Sequence, residues 1–195
     1  VILFFIFGLF AINLAANGNE NIKDDDAISA QIDSLQTIAN NYFIAGDLDN
    51  VIEICAQISS LKINKYGEKH PEYAYSLALI ANCHYIQQNY DTALDYFHQS
   101  LTIIEISLGK SDEYYAILLS MIGSCYSDLE DYNQAIVFYT QAIEIREETL
   151  GKEHDDYANS LYNVINCYYA LGGYNKAIKY ATELLEIQEK LLGKE

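Results

Sequence analysis

The sequence predicts an all-α solenoid, in which antiparallel helix pairs stack as four repeats, eight helices in all, around one continuous core. Three observations predict it. Gly67, Gly109, Gly151 and Gly193 stand 42 residues apart, and Cys83, Cys125, Cys167, then Tyr73, Tyr115, Tyr157, then Ala93, Ala135, Ala177 keep the same step without insertion or deletion. Within each period two apolar stripes of helical spacing flank a short polar turn. Apolar residues make up 51 % of the chain, enough to fill a core. A fixed period of roughly 20 to 50 residues marks a unit too small to bury its own apolar face, which must stack on its neighbours.

The units are about 27–66, 67–108, 109–150 and 151–195, preceded by a polar linker at 17–26. Asp24, Asp25 and Asp26 lead into Ala27, a helix start where the dipole favours negative charge. The first unit is a worn copy: Leu35, Ile38 and Ala39 align with Leu77, Ile80 and Ala81, but Asn41 replaces the cysteine, Leu48 the tyrosine and Val51 the alanine. Such wear is expected where a terminal repeat turns one face to solvent. In the second unit, helix A runs from Tyr73 to about Gln87 with Leu77, Ile80, Ala81 and His84 on one face. A turn at Gln88 and Asn89 leads to helix B, about Tyr90 to Leu108, striped by Ala93, Leu94, Phe97, Leu101 and Ile104. Gly109 ends it as a C-terminal cap, and the single proline, Pro71, sits at a helix start where its missing N–H does no harm. The third and fourth units repeat this with Leu119, Ile122, Gly123 and Tyr126, and with Leu161, Val164, Ile165 and Tyr168.

The spacing of Leu119, Ile122, Gly123, Tyr126, Tyr132, Ala135, Tyr139 and Ala142 resembles the tetratricopeptide repeat (TPR). The period, with linkers Tyr66 to Ala74 and Leu150 to Ala158, is similar to the kinesin-light-chain-like subclass. The sequence departs from that pattern at His84, where tyrosine is usual, at Asp155, where proline is usual, and at Gln88 and Glu130, where glycine often stands. The resemblance implies a right-handed superhelix whose A helices line a concave groove that binds peptides or partner proteins.

Val1 to Ile12 is almost wholly apolar and passes through Asn13, Leu14, Ala15 and Ala16 into polar sequence. The run suits the apolar region of a signal peptide, residues 1–16, and falls short of the ~20 residues of a membrane span. It predicts the secretory pathway, with a periplasmic or extracellular destination; an uncleaved N-terminal anchor is the alternative, and no other contact with a membrane is expected.

Lys plus Arg number 11 against 28 Asp plus Glu, a net charge of −17 that repels phosphate backbones and argues against nucleic acid. Equivalent cysteines in stacked repeats lie one helix-packing distance apart, about 8 to 10 Å, beyond the ~7 Å reach of a disulfide. They read as small buried side chains, and Cys55, in the other helix of its unit, has no periodic counterpart. His70 and His154 share a linker position, while His84 and His98 have no second ligand at i+3 or i+4. No metal, cofactor or catalytic site is expected, because neither a metal-binding spacing nor a nucleophile and base pair can be named.

The expected function therefore lies in the groove. Helix A positions pointing away from the core stripe include Asn40, Tyr75, Asn82, Tyr85, Ser124, Tyr162, Asn166 and Tyr169. Asn40, Asn82 and Asn166 are equivalent, with Ser124 substituting once, and a carboxamide can pair with both the N–H and the C=O of a peptide whatever its side chains. The tyrosines add rigid amphipathic contact area. The alternative is that these polar residues only solvate the face. Windows 31–46, 73–87, 115–129 and 157–171 contain no Lys or Arg, so capture of a free carboxylate or phosphate is not expected. The predicted partner is a protein or an extended peptide. A rival reading makes the chain the sensor or scaffold part of a longer protein, with further repeats or a catalytic domain after residue 195.

Overall fold

The computed structural model describes residues 22–192, which form α1 (Ile22–Ile44), α2 (Leu48–Tyr66), α3 (Pro71–Ile86), α4 (Tyr90–Ser107), α5 (Glu113–Asp128), α6 (Tyr132–Thr149), α7 (Asp155–Ala170) and α8 (Tyr174–Leu192), with no strand among them. Odd-numbered helices are the A helices and even-numbered ones the B helices. The all-α repeat fold expected from the period is the fold found. The proposed signal segment 1–16 lies outside the described residues, and no described helix is long and apolar enough to cross a membrane.

Two boundaries differ from the sequence reading. α1 starts at Ile22 rather than Ala27, so Asp25 and Asp26 lie inside the helix near its positive end. α3 starts at Pro71 rather than Tyr73, because His70 caps it: its Nδ1 accepts the Glu72 N–H at 3.2 Å. Asp112 accepts from the Tyr114 N–H at 2.8 Å and His154 Nδ1 from the Asp156 N–H at 3.2 Å, in the same register of the repeat. The two linker histidines thus do the work of the more usual oxygen caps. Asp47 and Asp131 cap α2 and α6.

The A-to-B turn repeats to the hydrogen bond. Gly46, Gln88, Glu130 and Gly172 occupy one register and all take positive φ, 77°, 63°, 63° and 72°. In each turn that residue's N–H bonds back to the third residue before it, and the next N–H reaches the carbonyl five residues back, as in Asn89 N–H to His84 O at 2.8 Å. The departures Gln88 and Glu130 therefore adopt the left-handed backbone that glycine supplies freely elsewhere.

The chain divides into two compact units, Val1–Ile103 and Ile104–Glu195, which meet inside α4. In the first, Val51, Cys55, Ile80 and Cys83 form a core cluster with Tyr42, Phe43 and Tyr96 packed against it. Lys62 of α2 pairs with Glu72 of α3 at 2.7 Å, and the Ser100 hydroxyl of α4 donates to the Ala74 carbonyl of α3 at 2.8 Å. In the second, Tyr139 and Ile143 of α6 meet Tyr157, Leu161, Val164 and Cys167 of α7. His84 stacks on Tyr96 within the first unit, and Tyr126 on Phe138 and Tyr168 on Tyr180 within the second, with centroids 5.7, 5.4 and 5.8 Å apart. These three A–B aromatic pairs share one register.

All four cysteines are free and buried. Burial pushes the Cys55 thiol up to about 11 and those of Cys83 and Cys125 to about 12, which leaves them unreactive thiols. Cys55, with no cysteine at the equivalent positions, holds the register of Phe97 and Tyr139, both also buried.

Candidate functional site: the A-helix faces

The eight residues singled out from sequence fall into two sets, Asn40, Tyr75, Asn82 and Tyr85 on α1 and α3 of the first unit, and Ser124, Tyr162, Asn166 and Tyr169 on α5 and α7 of the second. Helical spacing keeps each helix's members on one face, since Tyr75, Asn82 and Tyr85, like Tyr162, Asn166 and Tyr169, recur at i, i+3, i+4 and i+7 intervals.

Their exposure is unequal. Asn82 is only 6 % exposed, Asn40 and Ser124 are half-buried, and Asn166 is open to solvent. Tyr162 and Tyr169 are exposed, whereas Tyr75 and Tyr85 are half-buried. Tyr169 packs edge-on against Tyr174 with centroids 5.5 Å apart, and the equivalent Tyr85 tilts against Tyr90 at 5.6 Å. Each such pair buttresses the mouth of an A-to-B turn.

Ser124 does not play the part of the asparagines. Its hydroxyl donates to the Ser120 carbonyl at 3.0 Å, so in its contact with the Tyr139 hydroxyl, also 3.0 Å, the tyrosine is the donor. Burial drives the Tyr139 phenol well above its ordinary value, which keeps it protonated for that role. Ser124 is left with little to offer a peptide.

The sequence reading found no cation on the A helices and overlooked those that reach them from the B helices, of which two, Lys62 and Arg146, are buried. Lys62 bonds Glu72, as above. Arg146 of α6, 4 % exposed, sends Nη1 to the hydroxyl oxygens of Ser120 on α5, at 3.0 Å, and of Ser160 on α7, while its buried Nε finds no hydrogen-bond partner among the described residues. Desolvation lowers the pKa of this guanidinium, with Asp156 and Glu113 opposing, and no carboxylate lies within 4.0 Å of it among the described residues. It remains a cation. Register alone hides it, because the equivalent residues are Lys62, Ile104 and Gln188.

Among the described residues no cluster of three or more His, Cys, Asp or Glu side chains could hold a metal. His84 and His98 both have lowered pKa values, chiefly from burial.

No curated protein sequence matches the chain. Solved structures do. Kinesin-light-chain TPR-like repeats from Podosopora anserina superpose with a TM-score of 0.70 at 17 % identity, over 88 % of this chain and 80 % of that one. BtubC (BKLC) from P. vanneervenii gives 0.76 at 18 % identity, over 97 % and 72 %, and MamA gives 0.64 at 17 % identity, over 88 % and 86 %. At these identities the likeness is one of fold. Tetratricopeptide repeats are scaffolds for protein–protein contact and are generally not catalysts. The tetratricopeptide repeat model matches residues 29–106, 76–148 and 114–190, so that almost the whole described chain is covered, and the chain belongs to the tetratricopeptide repeat family.

Proposed function

We propose that this scaffold binds an extended, uncharged peptide or partner segment along its A-helix faces. The observation that carries the reading is the face of α7, where Tyr162, Asn166 and Tyr169 stand exposed together on a helix with no Lys or Arg. A carboxamide between two phenols can hydrogen-bond a peptide backbone while the rings cover its side chains. Arg146, the buried cation that reaches α7, is already bonded to two serines, so an anionic ligand would gain little from it. With a chain charge of −17, an acidic or phosphorylated peptide would also meet repulsion.

The test is fluorescence anisotropy of the chain against an arrayed set of acetylated and amidated peptides. Binders should lose about 1 to 3 kcal/mol with Asn166→Ala or Tyr162→Ala. Phosphorylated versions should bind no better. Binders indifferent to both substitutions, or improved by phosphate, would refute the reading. The apolar Val1 to Ala16 segment supports a secretory-pathway location for this scaffold; mass spectrometry of the expressed protein in a secreting host should find cleavage near Ala16.

A further inference from the structure

Every A-to-B turn leaves one aliphatic side chain in solvent: Ile44 is 68 % exposed, Ile86 39 %, Leu129 42 % and Leu171 44 %. A solitary exposed apolar residue needs no explanation, but one that recurs along an edge does. Ile86 and Leu129 belong to the second and third repeats, which have a repeat on either side in the chain, so the exposure is a property of this edge and not of the ends of the array. Nor does the turn itself demand an aliphatic residue. The register of Ile44 and Ile86 holds Asp128 and Ala170 in the later turns, and that of Leu129 and Leu171 holds Ala45 and Gln87 in the earlier ones.

In the first compact unit the same edge is acidic throughout. Asp49 and Asp91 stand exposed on the turns that carry the two isoleucines, Asp47 caps α2 between them, and no Lys or Arg occurs from 24 to 61 or from 70 to 109. Lys62, Lys65 and Lys69 lie at the other end of α2 and in the linker beyond it, about 20 Å of helix away and more than two screening lengths of about 8 Å at physiological salt. The two turns are tied side by side, because the Gln87 amide donates to the Asp49 carboxylate at 2.7 Å.

Three features say what fits there. The uncompensated acids attract Lys and Arg and repel anionic lipid and nucleic acid. The turn N–H groups are already spent, Gly46 on Phe43, Asp47 on Tyr42, Gln88 on Tyr85 and Asn89 on His84, so an extended strand would find few donors, whereas a helix arrives with its own backbone satisfied. Equivalent side chains in stacked repeats lie about 8 to 10 Å apart, and seven residues of helix rise about 10.5 Å, so positions i and i+7 of one helix reach both isoleucines.

We propose that the turn edge of the first compact unit docks a basic amphipathic helix of a partner protein, with aliphatic side chains seven residues apart on Ile44 and Ile86 and flanking Lys or Arg against Asp49 and Asp91. This surface is separate from the A-helix faces, and its test does not depend on them. The probe is an acetylated, amidated, fluorescein-labelled helical peptide of Ala and Lys carrying Leu at i and i+7, titrated into the 195-residue chain beside a control with Glu for every Lys. The Lys peptide should bind and the Glu peptide should not. Ile44→Ser, Ile86→Ser and Asp91→Lys should each weaken binding at least about fivefold. Glu68→Lys, an equal charge change in the linker at the other end of α2, should alter it less than about twofold, as should Asn166→Ala and Tyr162→Ala. All the substituted side chains on this edge are more than a third exposed, so helical circular dichroism should be unchanged. No binding of the Lys peptide, equal binding of the Glu peptide, indifference to both isoleucine substitutions, or equal losses with Glu68→Lys and Asp91→Lys would each overturn the proposal.

Discussion

Gly123 lies directly beneath the ring of Tyr139: a Cβ at position 123 would sit 2.9 Å from both Cδ1 and Cε1 of that ring. The ring is buried and its hydroxyl is held by Ser124, so it has little freedom to withdraw. Gly123→Ala should therefore lower stability by about 1 to 3 kcal/mol of overpacking, more than the ~1 kcal/mol of helix propensity that alanine gains over glycine. Urea unfolding with an unchanged m-value is the measurement; a stabilised variant would show that α5 and α6 can part without cost.

The A-to-B turns offer the opposite case. Gln88 and Glu130 both hold φ at 63° and both are exposed, so each bears a left-handed backbone cost with no contact to offset it. Gln88→Gly and Glu130→Gly should each stabilise by about 1 kcal/mol. Gly172→Ala should destabilise by a similar amount, and the three midpoints can be compared in one urea series.

His84 gives a pH dependence. Burial lowers its folded-state pKa, with Asp49 a smaller opposing influence, and its Nδ1 is buried without a partner among the described residues. Below the unfolded-state value of about 6.5 the unfolded chain binds a proton that the folded chain resists, so stability falls as pH drops from there towards the folded pKa. His98 contributes in the same direction. His84→Tyr, which restores the residue found at Tyr42, Tyr126 and Tyr168, should keep the stack on Tyr96 and flatten part of that acid slope. Thermal melts between pH 7.5 and 5 are the check.

Arg146 separates charge from packing. The hydroxyls of Ser120 and Ser160 donate to the carbonyls of Ala116 and Asp156, so removing the guanidinium orphans no donor. Arg146→Met should then be neutral or stabilising, by up to about 1 to 4 kcal/mol, since a lone buried cation is replaced by apolar volume as at Ile104. The double change Ser120→Ala with Ser160→Ala leaves the cation unsolvated and should cost about 1 to 3 kcal/mol per lost bond. Chemical denaturation of the two variants side by side distinguishes these outcomes.

Much of this was legible in the sequence because it lives in spacing. The glycine at 109 and the proline at 71 mark helix ends whatever surrounds them, and the alternation of Leu119, Ile122 and Tyr126 dictates a buried face. What was hidden depends on reach. Arg146 belongs by sequence to a B helix, and only the length of its side chain carries it to Ser120 and Ser160. Asn82 and Asn166 are the same letter in the same register, yet one is buried and the other open, since exposure is set by neighbours rather than by period. The early start of α1 escaped because Asp24 to Asp26 read as a signal that precedes a helix, while acids are equally at home inside its first turns.

The pairing of Gly123 with Tyr139 also bears on how near-identical repeats avoid confusion. In the same register stand Ala81 with Phe97, Ala39 with Cys55 and, inverted, Ile165 with Ala181. Ile165 set against Tyr139 would overfill the space, and Gly123 set against Ala181 would leave a hole. Repeat proteins characteristically misassemble by exchanging look-alike segments. Gly123 and Ile165 each carry a volume that suits their own helix B and not the other's, so side-chain size alone disfavours an A helix of the third or fourth unit settling against the other's B helix.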